Sequence, residues 1–163
     1  MSREQSSIGA SQHYGPRVTN EGLDNSVSTY GVFNQRELRF DYSQVNAGLP
    51  TVNADTDSAV LLIPANSLIT RAYIEVGTAF TSGGSATLEV GVQQSDGTVV
   101  DADGIDSVAV AALTAGSYTV ADGAIVGASV GANDVQLSID YGTAVFTAGT
   151  GRLIVEYVEP VAE

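Results

Sequence analysis

Apolar residues recur at every second position along much of this chain, in short runs separated by Gly, Ser, Asn and Asp. In GRLIVEYV, residues 151–158, Leu153, Val155 and Tyr157 share one parity, while Arg152 and Glu156 share the other. That alternation predicts a strand with one buried face. ATLEVGVQ, residues 86–93, repeats it through Leu88, Val90 and Val92, and DVQLSIDY, residues 134–141, through Val135, Leu137 and Ile139. In LITRAYIEV, residues 68–76, Leu68, Ala72, Ile74 and Val76 alternate with Arg71, Tyr73 and Glu75. ELRFDYSQ, residues 37–44, places Leu38, Phe40 and Tyr42 on one face, and AVLLIP, residues 59–64, reads as a further strand.

The middle of the chain is less regular. SVAVAALT, residues 107–114, fits either a strand or a short helix capped by Ser107. AGSYTV and GAIVGASV read as two brief strands or connectors, and TAVFTAG leads into the closing strand. No strand is followed by a crossover helix, which argues against a parallel sheet. The sequence therefore predicts an all-β fold of about eight to ten short strands, an antiparallel jelly-roll or Greek-key β-sandwich over residues 37–163.

Residues 1–36 show no sustained period and are rich in Ser, Asn, Gln and Gly. They cannot bury enough apolar area alone to offset ordering. The expectation is an extended N-terminal arm that orders on a neighbour. Tyr14, Tyr30 and Phe33, interleaved with Arg17 and Arg36, are residue types that anchor interfaces.

Charge sharpens this division. Nineteen acidic residues face six basic ones, a formal net charge of -13, and every basic residue is Arg. Residues 1–45 hold four Arg and five acids, whereas residues 46–163 hold two Arg and fourteen acids. The pattern is a near-neutral arm on an acidic body. Such acidity opposes nucleic-acid binding, which needs a cationic surface. It also strains a compact state by self-repulsion, which concentrated salt screens. A carboxylate-rich chain without Lys suits brine. No apolar run has membrane-spanning length, and MSREQSSIGA lacks the apolar segment of a signal peptide, so neither membrane nor export is expected.

Catalytic readings find little support. The single His, His13, lies in the polar arm, and Cys is absent. A nucleophilic triad needs an ordered His beside its nucleophile. Among nineteen acids the sequence singles out no pair for glycoside cleavage. Neither a dinucleotide fingerprint nor a phosphate loop occurs, so no cofactor is expected. DADGID sets Asp101, Asp103 and Asp106 around Gly104 in the manner of a calcium loop. The position of the bidentate Glu is held by Val110, however, which favours a solvated acidic turn with no metal. Tyr73 and Tyr118 are two isolated candidates for stacking on a sugar, which leaves a carbohydrate-binding or adhesion module as an alternative. The chain is expected not to be an enzyme.

The order of segments carries one resemblance. A polar N-terminal stretch ends in YGVFNQREL, residues 30–38, followed by LLIPANSLITRAYIEVGTAF, residues 61–80. DGTVVDADGID comes next, and FTAGTGRLIVEYV, residues 146–158, closes the chain. This layout resembles the small jelly-roll proteins that decorate the heads of tailed viruses. With its Lys-free acidity it is most similar to those of viruses infecting halophilic archaea. The resemblance implies a capsid decoration (cement) protein on the outer surface of an icosahedral virion, working as a homotrimer and binding the major capsid protein at capsomer junctions. The arm's length also fits a turret or spike base with pentameric symmetry. Tyr14, Arg17, Tyr30, Phe33, Arg36 and Arg39 are then the expected interface residues, the arginines pairing with capsid carboxylates.

Overall fold

The structure, a computed structural model, describes residues 33–48 and 62–159. Eight strands follow in chain order: β1 (Phe33–Asp41), β2 (Leu62–Ile63), β3 (Leu68–Ser82), β4 (Thr87–Gln93), β5 (Val99–Ala109), β6 (Tyr118–Val120), β7 (Val135–Gly142) and β8 (Phe146–Val158). They form two four-stranded sheets ordered β1-β8-β3-β6 and β2-β7-β4-β5, with every pair antiparallel. First pairs with last, second with seventh, third with sixth and fourth with fifth. That is one long antiparallel ribbon rolled into two facing sheets, a jelly roll, one of the two sandwich topologies that the strand count and turn spacing leave open.

The predicted core faces hold. Leu153, Val155 and Tyr157 of β8, Leu88, Val90 and Val92 of β4, and Leu137 and Ile139 of β7 are all fully buried between the sheets. At one end of the sandwich Phe80 stacks between Phe40 and Phe146, with ring centroids 6.0 and 5.1 Å away.

Several local expectations are corrected. β1 starts at Phe33, not 37, because Phe33–Arg36 already pair with Val158–Val155 of β8. It also ends early. Asp41 accepts hydrogen bonds from the backbone N–H groups of Ser43 and Gln44, and the Gln44 side chain accepts one from the Asp41 N–H. This capping box starts the short helix α1 (Tyr42–Ala47), so Tyr42 leaves the strand and is exposed while Val45 turns into the core. In β3 the register slips between Ile69 and Arg71. The bulge inverts the parity before it, so Ile69 is buried and Leu68 exposed. The 107–114 segment divides: β5 runs to Ala109 and a single 3₁₀ turn covers Val110–Ala112, with no side-chain cap. GAIVGASV forms turns with one isolated bridge, Leu68 to Ser129.

DADGID is not a turn but part of β5. Between Val90↔Asp106 and Val92↔Asp101, β4 advances two residues and β5 five. The surplus backbone folds over Gly91, where a Cβ would lie 1.9 Å from the Asp101 carbonyl oxygen. The chain after β6 then closes this side of the sandwich: Gly123 and Ile125 donate their N–H groups to the carbonyls of Ile105 and Gly104 at 2.8 and 2.9 Å.

Asp106 shares the inner face of edge strand β5 with Val108. Its Oδ1 accepts from the Ser107 N–H at 2.7 Å, while its buried Oδ2 has no hydrogen-bond partner among the described residues. Burial, reinforced by the charge of Asp122 and opposed by the Ser107 hydrogen bond, pushes its pKa up. A raised carboxylate pKa means that the ionised form opposes folding, a cost that appears as pH rises through the folded-state pKa and vanishes below the unfolded one. Asp106→Asn keeps the acceptor for Ser107 and removes the charge. It is expected to stabilise the domain at pH 7 by about 1 kcal/mol, because it removes the charge at a buried site and leaves the polar groups otherwise as they were. Urea melts at pH 7 and pH 3 check this: the gap should close at the lower pH, and an equal gap at both would contradict it.

Candidate interaction surface

Sheet assignment sorts the charges. The four arginines among the described residues, Arg36, Arg39, Arg71 and Arg152, all lie in β1, β3 and β8, and the same strands carry Glu37, Asp41, Glu75 and Glu156. The β1-β8-β3-β6 strands therefore have no net charge. The β2-β7-β4-β5 strands hold Glu89, Asp101, Asp103, Asp106 and Asp140 and no base at all.

The outer face of the neutral sheet is organised in rows. Arg39, Arg152, Glu75 and Tyr118 are register partners across all four strands. Two arginines side by side would repel. Glu37 relieves this by accepting from Arg39 Nε at 2.8 Å and lying 3.7 Å from Arg152 Nη1. Arg152 Nε donates to Glu75, and the Tyr118 hydroxyl donates to the other Glu75 oxygen at 2.6 Å. The Tyr118 hydrogen bond, then Arg152, hold the Glu75 carboxyl below its ordinary pKa. A neighbouring row aligns Glu37, Ile154, Tyr73 and Val120, and a third aligns Gln35, Glu156 and Arg71. At the β6 edge Tyr118 and Val120 are 62% and 67% exposed.

A groove of about 490 Å³ opens here, lined in part by Arg39, Asp41, Glu75, Gly77, Gly151 and Arg152. Its two carboxylates do not suit acid catalysis. Asp41 is held down by the Ser43 hydroxyl and the Gln44 and Ser43 backbone, and Glu75 by Tyr118 and Arg152. Neither has the raised pKa of a general acid.

Of the residues expected at an interface, Tyr14, Arg17 and Tyr30 lie outside the described residues. Phe33 opens β1. Arg36 faces inward: its Nε donates to the Leu62 carbonyl of the opposite sheet at 3.1 Å, and its guanidinium lies 5.4 Å from the Tyr157 ring centroid. It clamps the sheets together on the side opposite the Gly123–Ile105 closure. Arg39 is on the outer face, its side chain 79% exposed and, among the described residues, hydrogen-bonded only through Nε. Asp101, Asp103 and Asp106 are strung along β5, and among the described residues no three His, Cys, Asp or Glu side chains gather as a metal site. Tyr73 and Tyr118 share the neutral face in adjacent rows. The row of charges escaped sequence reasoning because positions 39, 75, 118 and 152 meet only through sheet pairing.

Strand order, antiparallel pairing and the two-sheet core define the domain as an eight-stranded jelly roll. No family model matches the sequence, and no curated protein does. Among solved structures the chain is similar to a chain in the acidic stable capsid structure of the Helicobacter pylori bacteriophage KHP30, with a TM-score of 0.55 and 12% identity over 80% of this chain and 90% of that one. The capsid of Ralstonia phage GP4 gives a TM-score of 0.45 and 17% identity over 92% and 93%. At such identities the likeness is one of fold.

Proposed function

We propose that this chain is a structural virion protein: a decoration protein that binds the outside of an icosahedral head and ties neighbouring capsomers together. The observation that carries the reading is a jelly roll similar over 80% of this chain, and 90% of the other, to a chain of a phage capsid. The electrically uneven faces and a groove without general-acid character support a binding role over a catalytic one. In this reading the chain is a homotrimer whose partner is the major capsid protein. Residues 1–32 anchor it, with Tyr14, Arg17 and Tyr30 as contacts, joined by Phe33 and Arg39. Arg36 contributes by fixing the start of β1. Particles assembled without the chain should release their genome at lower temperature than complete ones, and restoring the purified chain should reverse the shift. Identical release curves would overturn the reading.

The host environment is proposed to be hypersaline, and the charge separation supplies the reason. Five carboxylates share one sheet within a chain of net charge -13. At about 0.1 M salt the screening length is about 10 Å, longer than the strand spacing, and at about 1 M it is about 3 Å. The melting temperature should therefore fall steadily as NaCl is diluted between those concentrations. A flat profile would remove the hypersaline assignment and leave the fold untouched.

A further inference from the structure

The two sheets differ in what they can approach. The β2-β7-β4-β5 sheet holds no base, and with Asp106 turned inward it still carries Glu89, Asp101, Asp103 and Asp140 outside the core, which repel an acidic neighbour. With Arg36 turned inward, the opposite sheet sets Arg39, Arg71 and Arg152 against Glu37, Asp41, Glu75 and Glu156, a near-neutral balance arranged largely in rows, so bringing it against a protein surface strands little unpaired charge. It also offers what the acidic sheet lacks: a cationic group with unused donors. Arg39 is 79% exposed and, among the described residues, bonded only through Nε, which leaves its Nη groups to donate to a carboxylate from outside. Across the sheet, Tyr118 and Val120 present an exposed apolar edge, with Tyr73 and Ile154 in the row between.

We propose that the outer face of the β1-β8-β3-β6 sheet seats the chain on its partner, and that this partner is a shell subunit presenting a carboxylate beside an apolar patch. The acidic sheet then faces solvent. The inference rests on the virion reading above and adds to it the orientation of the domain and the chemistry of the surface it meets. Size decides against a second copy as the occupant. The four strands of this sheet hold 9, 13, 15 and 3 residues, which at about 4.8 Å spacing and about 3.3 Å rise give a face of about 630 Å². A stable pair of identical subunits held by one face needs about 800 Å² per partner. The face works as one of two attachments, the other being residues 1–32.

The test is co-sedimentation of the full-length chain with particles stripped of it. Wild type is compared with Arg39→Glu and Val120→Asp on the neutral face, and with Glu89→Gln and Asp140→Asn on the acidic sheet. All four positions are on the surface, and melting curves confirm that each variant folds; either neutral-face variant alone suffices if the other does not. Arg39→Glu and Val120→Asp should each weaken binding about tenfold, the effect of losing one interface anchor. The acidic-sheet variants should stay within about twofold of wild type. Wild-type binding matched by both neutral-face variants would overturn the orientation alone. Failure of wild type itself to bind would overturn the virion reading and this inference with it. A wild-type dimer in the absence of particles, dissociated by Val120→Asp, would make the occupant a second copy and refute the assignment to a shell subunit.

Discussion

Replacing Gly91 with alanine is expected to cost the domain about 3 kcal/mol or more, the upper end of overpacking penalties. Gly91 sits in β4 between the buried Val90 and Val92, beneath the surplus backbone of β5. A Cβ there would lie 1.9 Å from the Asp101 carbonyl oxygen and 2.5 Å from the Ala102 carbonyl carbon. Both are main-chain atoms, and neither can rotate away as a side chain would. The β5 bulge would have to lift off, taking with it Ile105 and the hydrogen bonds from Gly123 and Ile125 that close that side of the sandwich. Gly83→Ala is the control, because a Cβ at Gly83 meets nothing within 4 Å. Urea denaturation should show a large loss for Gly91→Ala and a change within about 0.5 kcal/mol for Gly83→Ala, as for an ordinary surface position. A Gly91→Ala domain as stable as wild type would mean that β5 does not cross β4 in this way.

Removing residues 1–32 is expected to leave the fold intact and to reduce particle binding about 100-fold, the low end of what a second linked attachment contributes. The compact unit begins at Phe33, and all eight strands lie within it. The melting temperature should therefore stay within a few degrees of wild type. The neutral face is too small for tight binding by itself, so losing the other attachment should be severe. Binding by the truncated chain equal to that of wild type would assign the whole of the affinity to the folded domain.

The edges of the sandwich bear on how it avoids pairing with the wrong partner. β1 and β5 are both edge strands, and each carries a charged residue on its inner face, Arg36 and Asp106. An incoming strand would have to accommodate those charges, which discourages indiscriminate strand addition. Attachment through a sheet face and an arm is consistent with edges protected in this manner.

Much of the fold was legible in the chain because a two-residue period leaves a direct mark. Leu88, Val90 and Val92, or Leu153, Val155 and Tyr157, could be set on a core face from spacing alone. The period misled where something interrupted it. Tyr42 continued the parity of Leu38 and Phe40, yet the Asp41–Gln44 capping box starts a helix there, a D-x-x-Q signal that was present to be read. Leu68 lost its core place to Ile69 through a bulge that no local pattern announces. DADGID looked like an acidic turn because its surplus residues do form an excursion, but one carried within a strand. The neutral face was hidden for a different reason: Arg39, Arg71 and Arg152 are far apart in sequence, and only long-range pairing sets them among Glu37, Glu75 and Glu156.

The most direct measurement is a density map of purified particles with and without this chain. The account predicts eight-stranded beads on the outside of a continuous shell, each with its β1-β8-β3-β6 sheet turned inward, and the same shell bare when the chain is missing. A shell built from this chain itself, or particles whose density does not change when it is absent, would contradict the account.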